Sequence, residues 1–152
     1  MLEHGADIVV NSSSKYINGS SNAISGVLTD SGKFKWDKEK YPGLADYVKF
    51  GPMAFVAKIR NGLFRNIGAC LAPVNAYLNL IGIETLGLRM ERECGNAYEL
   101  AQWIEDTYPD IKVNYPGLKS SPWHDIADGE LTNGYGAIFT LRVGSKEKAF
   151  KF

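Results

Sequence analysis

Asp7-Ile-Val-Val-Asn-Ser12-Ser13-Ser14-Lys15-Tyr16 decides how this 152-residue chain is read, because an apolar run ends there in three hydroxyls and one amine. Ile8, Val9 and Val10 are β-branched, follow Gly5 and give way to polar residues, which predicts a short, fully buried strand of the parallel type. Lys15 then stands just past the strand's carboxyl end. In α/β folds the crevice outside those ends is where ligands bind. A lysine there, beside hydroxyls, suits Schiff-base chemistry next to a bound phosphate.

Downstream, Asn18-Gly-Ser-Ser-Asn22 is a small polar loop that can bring backbone close to a ligand. Residues 23–29 read as a second strand and Asp30-Ser-Gly32 as its turn. Residues 33–52 carry Trp36, Tyr41-Pro-Gly43, Tyr47 and Phe50-Gly-Pro52, a long loop of the kind that covers sites. Phe55, Ile59 and Leu63 recur at helical spacing, and Val74, Tyr77, Leu78 and Ile81 share one face of a second helix after Pro73. Both helices are expected to pack through those faces. Ile83, Leu86, Met90, Cys94, Ala97, Ala101 and Ile104 predict one long amphipathic helix over 83–107, ending before Pro109 and tying two domains together. A strand at 111–114, a turn at Tyr115-Pro-Gly117, a short helix opened by Ser121-Pro122, a strand at 137–143 and a helix from Ser145 follow.

Seventeen basic and seventeen acidic side chains cancel, which argues against nucleic acid or an anionic membrane as partner. The charge run 33–40 mixes signs and reads as a solvated loop. Cys70 and Cys94 lack CxxC spacing and follow no leader segment, so a cytoplasmic protein is expected. A metal site would need Cys70, Cys94, His4 and His124 to converge from four places, and none is expected. Arg89 and Arg92, on a helix bearing Glu91 and Glu93, read as ion-pair formers, and Trp36, Trp103 and Trp123 as packing residues. A terminal helix of two turns and a first strand without sibling strands read as edges of a longer protein.

A free lysine is protonated at neutral pH and is a poor nucleophile, but joined to pyridoxal phosphate it exchanges readily with a substrate amine. Ser12 and Ser14 can each donate to phosphate oxygens while Lys15 reaches the aldehyde carbon. By itself the pattern also describes an ordinary solvated turn. Ser12-x-x-Lys15 further matches the nucleophile motif of penicillin-binding proteins, with Ser20-x-Asn22 as a second element. That motif opens a helix and needs a Lys-Thr-Gly triad, which this sequence lacks.

The segment Ser12-Ser-Ser14-Lys15-Tyr16-Ile-Asn-Gly19 resembles the cofactor-lysine segment of the Cys/Met-metabolism family of pyridoxal-phosphate enzymes, S-x-[ST]-K-Y before a glycine-containing loop. Ala72-Pro73-Val-Asn75-Ala76, Gly82-Ile-Glu84-Thr85-Leu86, Leu88-Arg89-Met90-Glu91-Arg92, Asn96-Ala97 and Val113-Asn-Tyr115-Pro116-Gly117-Leu118 extend the likeness in order. Within the family the chain looks most like O-acetylhomoserine sulfhydrylases, with cystathionine γ-synthase and γ-lyase as alternatives. The resemblance implies an α/β, aspartate-aminotransferase-like (fold type I) protein with an α+β C-terminal part, a homotetramer acting on an amino-acid substrate in methionine biosynthesis and transsulfuration. It implies Lys15 as catalytic and cofactor-binding, with Ser12 and Ser14 as phosphate ligands. It assigns residues 1–82 to the end of the cofactor-binding large domain, 83–109 to a linking helix and 110–152 to the start of a smaller domain.

The family often has His where Asn11 stands and Gly-His or similar where Ser20-Ser21 stand, so the loop beside the cofactor is altered and the resemblance leaves substrate choice open. Its glycine-rich phosphate loop, ring-stacking tyrosine and ring-nitrogen aspartate lie before the lysine, and its carboxylate-binding arginine lies beyond the stretch matched. The 152 residues alone are therefore expected to be inactive. A non-catalytic remnant or assembly fragment is the rival of a different class.

Overall fold

The computed structural model describes residues 1–151. They divide into two compact units, Met1–Glu84 and the residues from Thr85 onward.

In the first unit β1 (Ile8–Ser12) pairs with β2 (Gly26–Asp30) in antiparallel register, Ile8 opposite Asp30 and Ser12 opposite Gly26. The expected fully buried parallel strand is thus an antiparallel one, and Val10 is 73% exposed. The connection 13–25 holds a turn and a loop rather than a crossover helix, so the chain doubles back beside β1. β2 begins only at Gly26, three residues later than expected, because Ala23, Ile24 and Ser25 belong to that loop. The predicted turn after β2 forms: Gly32 has φ 67° and its N–H donates to Asp30 Oδ1 at 3.0 Å.

The aromatic stretch 33–52 is less loop than expected. Pro42–Met53 is wound into 3-10 turns interrupted at Gly51, φ 56°. Trp36 stacks on Phe55 at 5.5 Å and an interplanar angle of 10°, with Tyr41 edge-on to it and Phe34 tilted against it. Phe55 is the second residue of α1 (Ala54–Ile59), which runs through a π turn, Arg60–Phe64, into α2 (Arg65–Ile67) and stops at left-handed Gly68. The wider π turn rotates later residues off the face begun by Phe55 and Ile59, and Leu63 is 62% exposed.

α3 (Pro73–Glu84) reverses the expected packing. Val74, Tyr77 and Ile81 are exposed, whereas Asn79 and Gly82 are the helix's buried residues. The amphipathic helix predicted from residue 83 begins later: Thr85 breaks the run at φ −109°, and α4 spans Leu86–Thr107. Thr85 is tied to α4 through Arg89 alone in these two bonds, its carbonyl accepting Arg89 N–H at 2.9 Å and its hydroxyl Oγ1 accepting Arg89 Nε–H at 3.1 Å.

In the second unit the predicted stripe holds from Cys94 on, since Cys94, Ala97, Ala101 and Ile104 are buried. Small alanines let α4 lie close to Tyr115 and Leu118, and Tyr98, Val113, Tyr135 and Phe139 close the cluster. β3 (Lys112–Asn114) pairs antiparallel with β4 (Thr140–Arg142), both shorter than expected. Between them lie the predicted turn, closed by Leu118 N–H on Tyr115 O at 3.2 Å, and α5 (His124–Glu130). α6 (Lys146–Lys151) starts where Ser145 Oγ accepts Lys148 N–H at 3.2 Å. Of the tryptophans expected to pack, Trp103 meets Tyr108 edge-on at 5.4 Å but is itself 53% exposed, and Trp123 is 62% exposed.

Tyr115 is fully buried and its hydroxyl donates to Gly136 O at 2.7 Å. Burial pushes its phenol above the ordinary tyrosine range, and the bond to Asp128 does the same for Tyr135. A raised folded-state pKa means that the stabilisation is complete below pH about 10 and is lost as pH climbs past it. Tyr115→Phe should cost about 1 kcal/mol at neutral pH by orphaning Gly136 O. It should also flatten the alkaline fall of the melting temperature, measured by circular dichroism from pH 8 to 11; an unchanged alkaline limb would count against this role.

Candidate active site

The predicted site residues lie where β1 ends. Ser12 is its last residue, and residues 13–18 form a turn closed by Asn18 N–H on Ser13 O at 2.9 Å and Gly19 N–H on Lys15 O at 2.8 Å. Lys15 stands in this turn and is exposed, as is Ser12. Because Ser12 ends a strand and opens no helix, the penicillin-binding reading fails on its own structural requirement.

Ser14 is half-buried and faces the start of β2. Its Oγ accepts Ser25 N–H at 2.8 Å and lies 3.3 Å from Ser25 O, to which it donates. Ser14 thus ties the lysine turn to the returning chain while one lone pair stays available. Between them Ser13, absent from the sequence-derived site, is 1% exposed and donates to Ser25 Oγ at 2.6 Å.

Beneath the turn lies a polar network that sequence reasoning missed. Asn79 Nδ2 donates to Ser25 Oγ at 2.8 Å, and Asn79 Oδ1 accepts Asn18 Nδ2 at 3.3 Å. Asn18 Oδ1 in turn accepts Ser20 N–H at 3.1 Å and Asn22 N–H at 3.3 Å. A signal did exist: Asn75, Asn79 and Gly82 stand four and three apart, a polar and small stripe on an otherwise apolar helix. Among the described residues no three His, Cys, Asp or Glu side chains gather as a metal group would require.

Residues 1–152 match the Cys/Met metabolism PLP-dependent enzymes. The chain belongs to that family. Sulfhydrylase FUB7 of Fusarium oxysporum f. sp. lycopersici is 43% identical over 155 residues, which cover 93% of this chain and 36% of that protein. O-acetyl-L-homoserine sulfhydrylase of Corynebacterium glutamicum is 37% identical over 99% of this chain and 38% of its own. Among solved structures, O-acetylhomoserine sulfhydrylase of Wolinella succinogenes aligns with TM-score 0.80 and 44% identity, covering 98% of this chain and 42% of that one. A putative O-acetylhomoserine (thiol)-lyase of Campylobacter jejuni, whose structure carries N'-pyridoxyl-lysine-5'-monophosphate, aligns with TM-score 0.84 and 30% identity over 99% and 40%.

The fold is therefore the fold type I α/β architecture of pyridoxal-phosphate enzymes, as the lysine segment implied. The chain spans about 36% of the length of the first of these relatives. The family is pyridoxal-phosphate dependent, and the donors at the end of β1 fit that cofactor chemically. An exposed amine answers an aldehyde, and two hydroxyls in the preceding residues answer a phosphate.

Proposed function

We propose that the protein carrying this sequence replaces the acetoxy group of O-acetyl-L-homoserine with sulfide, giving homocysteine and acetate. The single observation that carries the reading is the run of sulfhydrylase relatives matching nearly the whole chain, lysine turn included. In that reaction the substrate's terminal C–O bond breaks, acetate leaves, and a C–S bond forms at the same carbon.

Lys15 is the residue we assign to attachment of the cofactor aldehyde and to proton movement between the substrate's α and β carbons. Ser12 holds the phosphate with its exposed hydroxyl. Ser14 holds it with the same Oγ that accepts Ser25 N–H, its hydroxyl proton turning from Ser25 O to a phosphate oxygen. Pyridoxal phosphate, when bound, supplies the electron sink that makes removal of the α proton feasible. The protein's part is to keep the amine and the hydroxyls in one arrangement.

The reading extends to a homotetramer in the cytoplasm, with residues 1–82 closing the cofactor-binding domain, 83–109 linking and 110–152 opening a smaller one. Both cysteines are free thiols, as cytoplasmic cysteines are.

The test is to incubate the whole protein that carries this sequence, rather than residues 1–152 alone, and pyridoxal phosphate with O-acetylhomoserine in three arms: with sulfide, with cysteine, and with neither. Homocysteine and acetate in equal amounts in the first arm are expected. Cystathionine from the second as the main product would move the assignment to a γ-synthase, and ammonia from the third to a γ-lyase.

A further inference from the structure

Asn79 grips the lysine turn from both sides. Toward the strand, its Nδ2 donates to Ser25 Oγ at 2.8 Å and also lies 3.4 Å from Ser13 Oγ, two residues before Lys15. Toward the loop, its Oδ1 accepts Asn18 Nδ2 at 3.3 Å, three residues after Lys15. Asn18 then holds the next bend, where Ser21 takes the left-handed φ of 53° that a residue bearing a Cβ seldom adopts. Ser13, Asn18 and Asn79 are all buried.

The position calls for a donor and an acceptor on one short side chain. Leucine offers neither, and aspartate offers only acceptors and would bring a charge into a buried site. With leucine the buried Asn18 amide loses its acceptor and half-buried Ser25 Oγ its donor, and with aspartate Ser25 Oγ still loses its donor. Apolar packing alone would not specify the turn, since Val74, Tyr77, Leu80, Ile81 and Ile83 of α3 are exposed.

We infer that Asn79 is a positioning residue for Lys15: it locks the 13–18 turn so that the amine keeps a constant place relative to Ser12 and Ser14. Its consequence for the cofactor rests on the function proposed above; its geometry does not.

Asn79→Leu and the milder Ser25→Ala are to be compared with the native protein by three measurements. These are amide hydrogen exchange at Asn18 and Gly19, borohydride trapping of pyridoxal phosphate on Lys15, and the circular dichroism induced in the bound cofactor's visible band. In Asn79→Leu exchange at both amides should rise about tenfold and pyridoxal phosphate affinity should fall about tenfold. The induced signal should drop several-fold while the far-ultraviolet helix signal is retained. Ser25→Ala should change each readout in the same direction by less, and the double variant should lose less than the sum of the two. Native-like exchange and induced signal in Asn79→Leu overturn the inference, as do strictly additive losses. Should Asn79→Leu fail to fold, native-like exchange in Ser25→Ala overturns it and faster exchange supports it. If the native protein is not trapped on Lys15, the cofactor reading falls instead, and the exchange rates still decide the role of Asn79.

Discussion

Replacing Lys15 with alanine is expected to abolish covalent capture of pyridoxal phosphate and to lower sulfhydrylation by about 1,000-fold. A positioned acid–base group alone contributes about 10²–10⁴-fold, and Lys15 is assigned attachment as well as proton movement. The fold should be unaffected, because the side chain is exposed and the turn around it is closed by backbone groups, Asn18 N–H on Ser13 O and Gly19 N–H on Lys15 O. Lys15→Arg sharpens the argument. A guanidinium keeps the positive charge and much of the length but does not deprotonate in proteins. If Lys15 serves only as a cation near a phosphate, the arginine variant keeps its activity. If it must react with an aldehyde, arginine is as inert as alanine. Turnover by either variant within tenfold of the native protein would remove Lys15 from the chemistry. Peptide mass after borohydride reduction checks the attachment directly.

What the sequence makes visible here is chemistry that is local along the chain. Ser12, Ser14 and Lys15 fall within four residues, and the strand before them is marked by three β-branched residues in a row. The glycine turn after β2 and the stripe Cys94, Ala97, Ala101 and Ile104 were legible for the same reason, each being a short-range pattern. What was not legible joins distant residues. Asn79 meets Asn18 across 61 positions and Ser13 across 66, and the stripe of Asn75, Asn79 and Gly82 marks a polar face on α3 without saying which distant residues meet it.

Two local patterns also misled. The apolar face of α3 predicted the packing surface, yet the helix turns its asparagine and glycine stripe to the lysine turn and leaves Val74, Tyr77 and Ile81 exposed. A hydrophobic stripe marks surface that gains by being covered; it does not say which neighbour meets the opposite face. Likewise β-branching marked β1 correctly as a strand, but neither its antiparallel partner nor the exposure of Val10 follows from propensity.

Gly82 offers the severest test of how α3 seats against that turn. In a helix interior, glycine to alanine ordinarily stabilises by about 1 kcal/mol, through backbone entropy and propensity. At Gly82 the sign should reverse. A Cβ there would fall 2.5 Å from Ile17 O and would also meet the carbonyl of Asn18, both backbone atoms of the segment that follows Lys15. Neither carbonyl can swing aside as a side chain would, so either α3 or the turn must move. Overpacking commonly costs 1–3 kcal/mol where side chains can adjust, and here backbone must shift, so a net loss of about 3 kcal/mol is expected. Displacing the turn breaks the Asn79 bonds one helical turn away, so pyridoxal phosphate capture should fall along with stability. Gly95→Ala supplies the control of opposite sign: Gly95 lies inside α4 with nothing within 4 Å of its added Cβ, and it should gain about 1 kcal/mol. Urea melts of both variants decide the matter. Equal stabilisation at the two positions would mean that α3 does not press on the lysine turn, and the close approach at Gly82 would lose its part in holding the site.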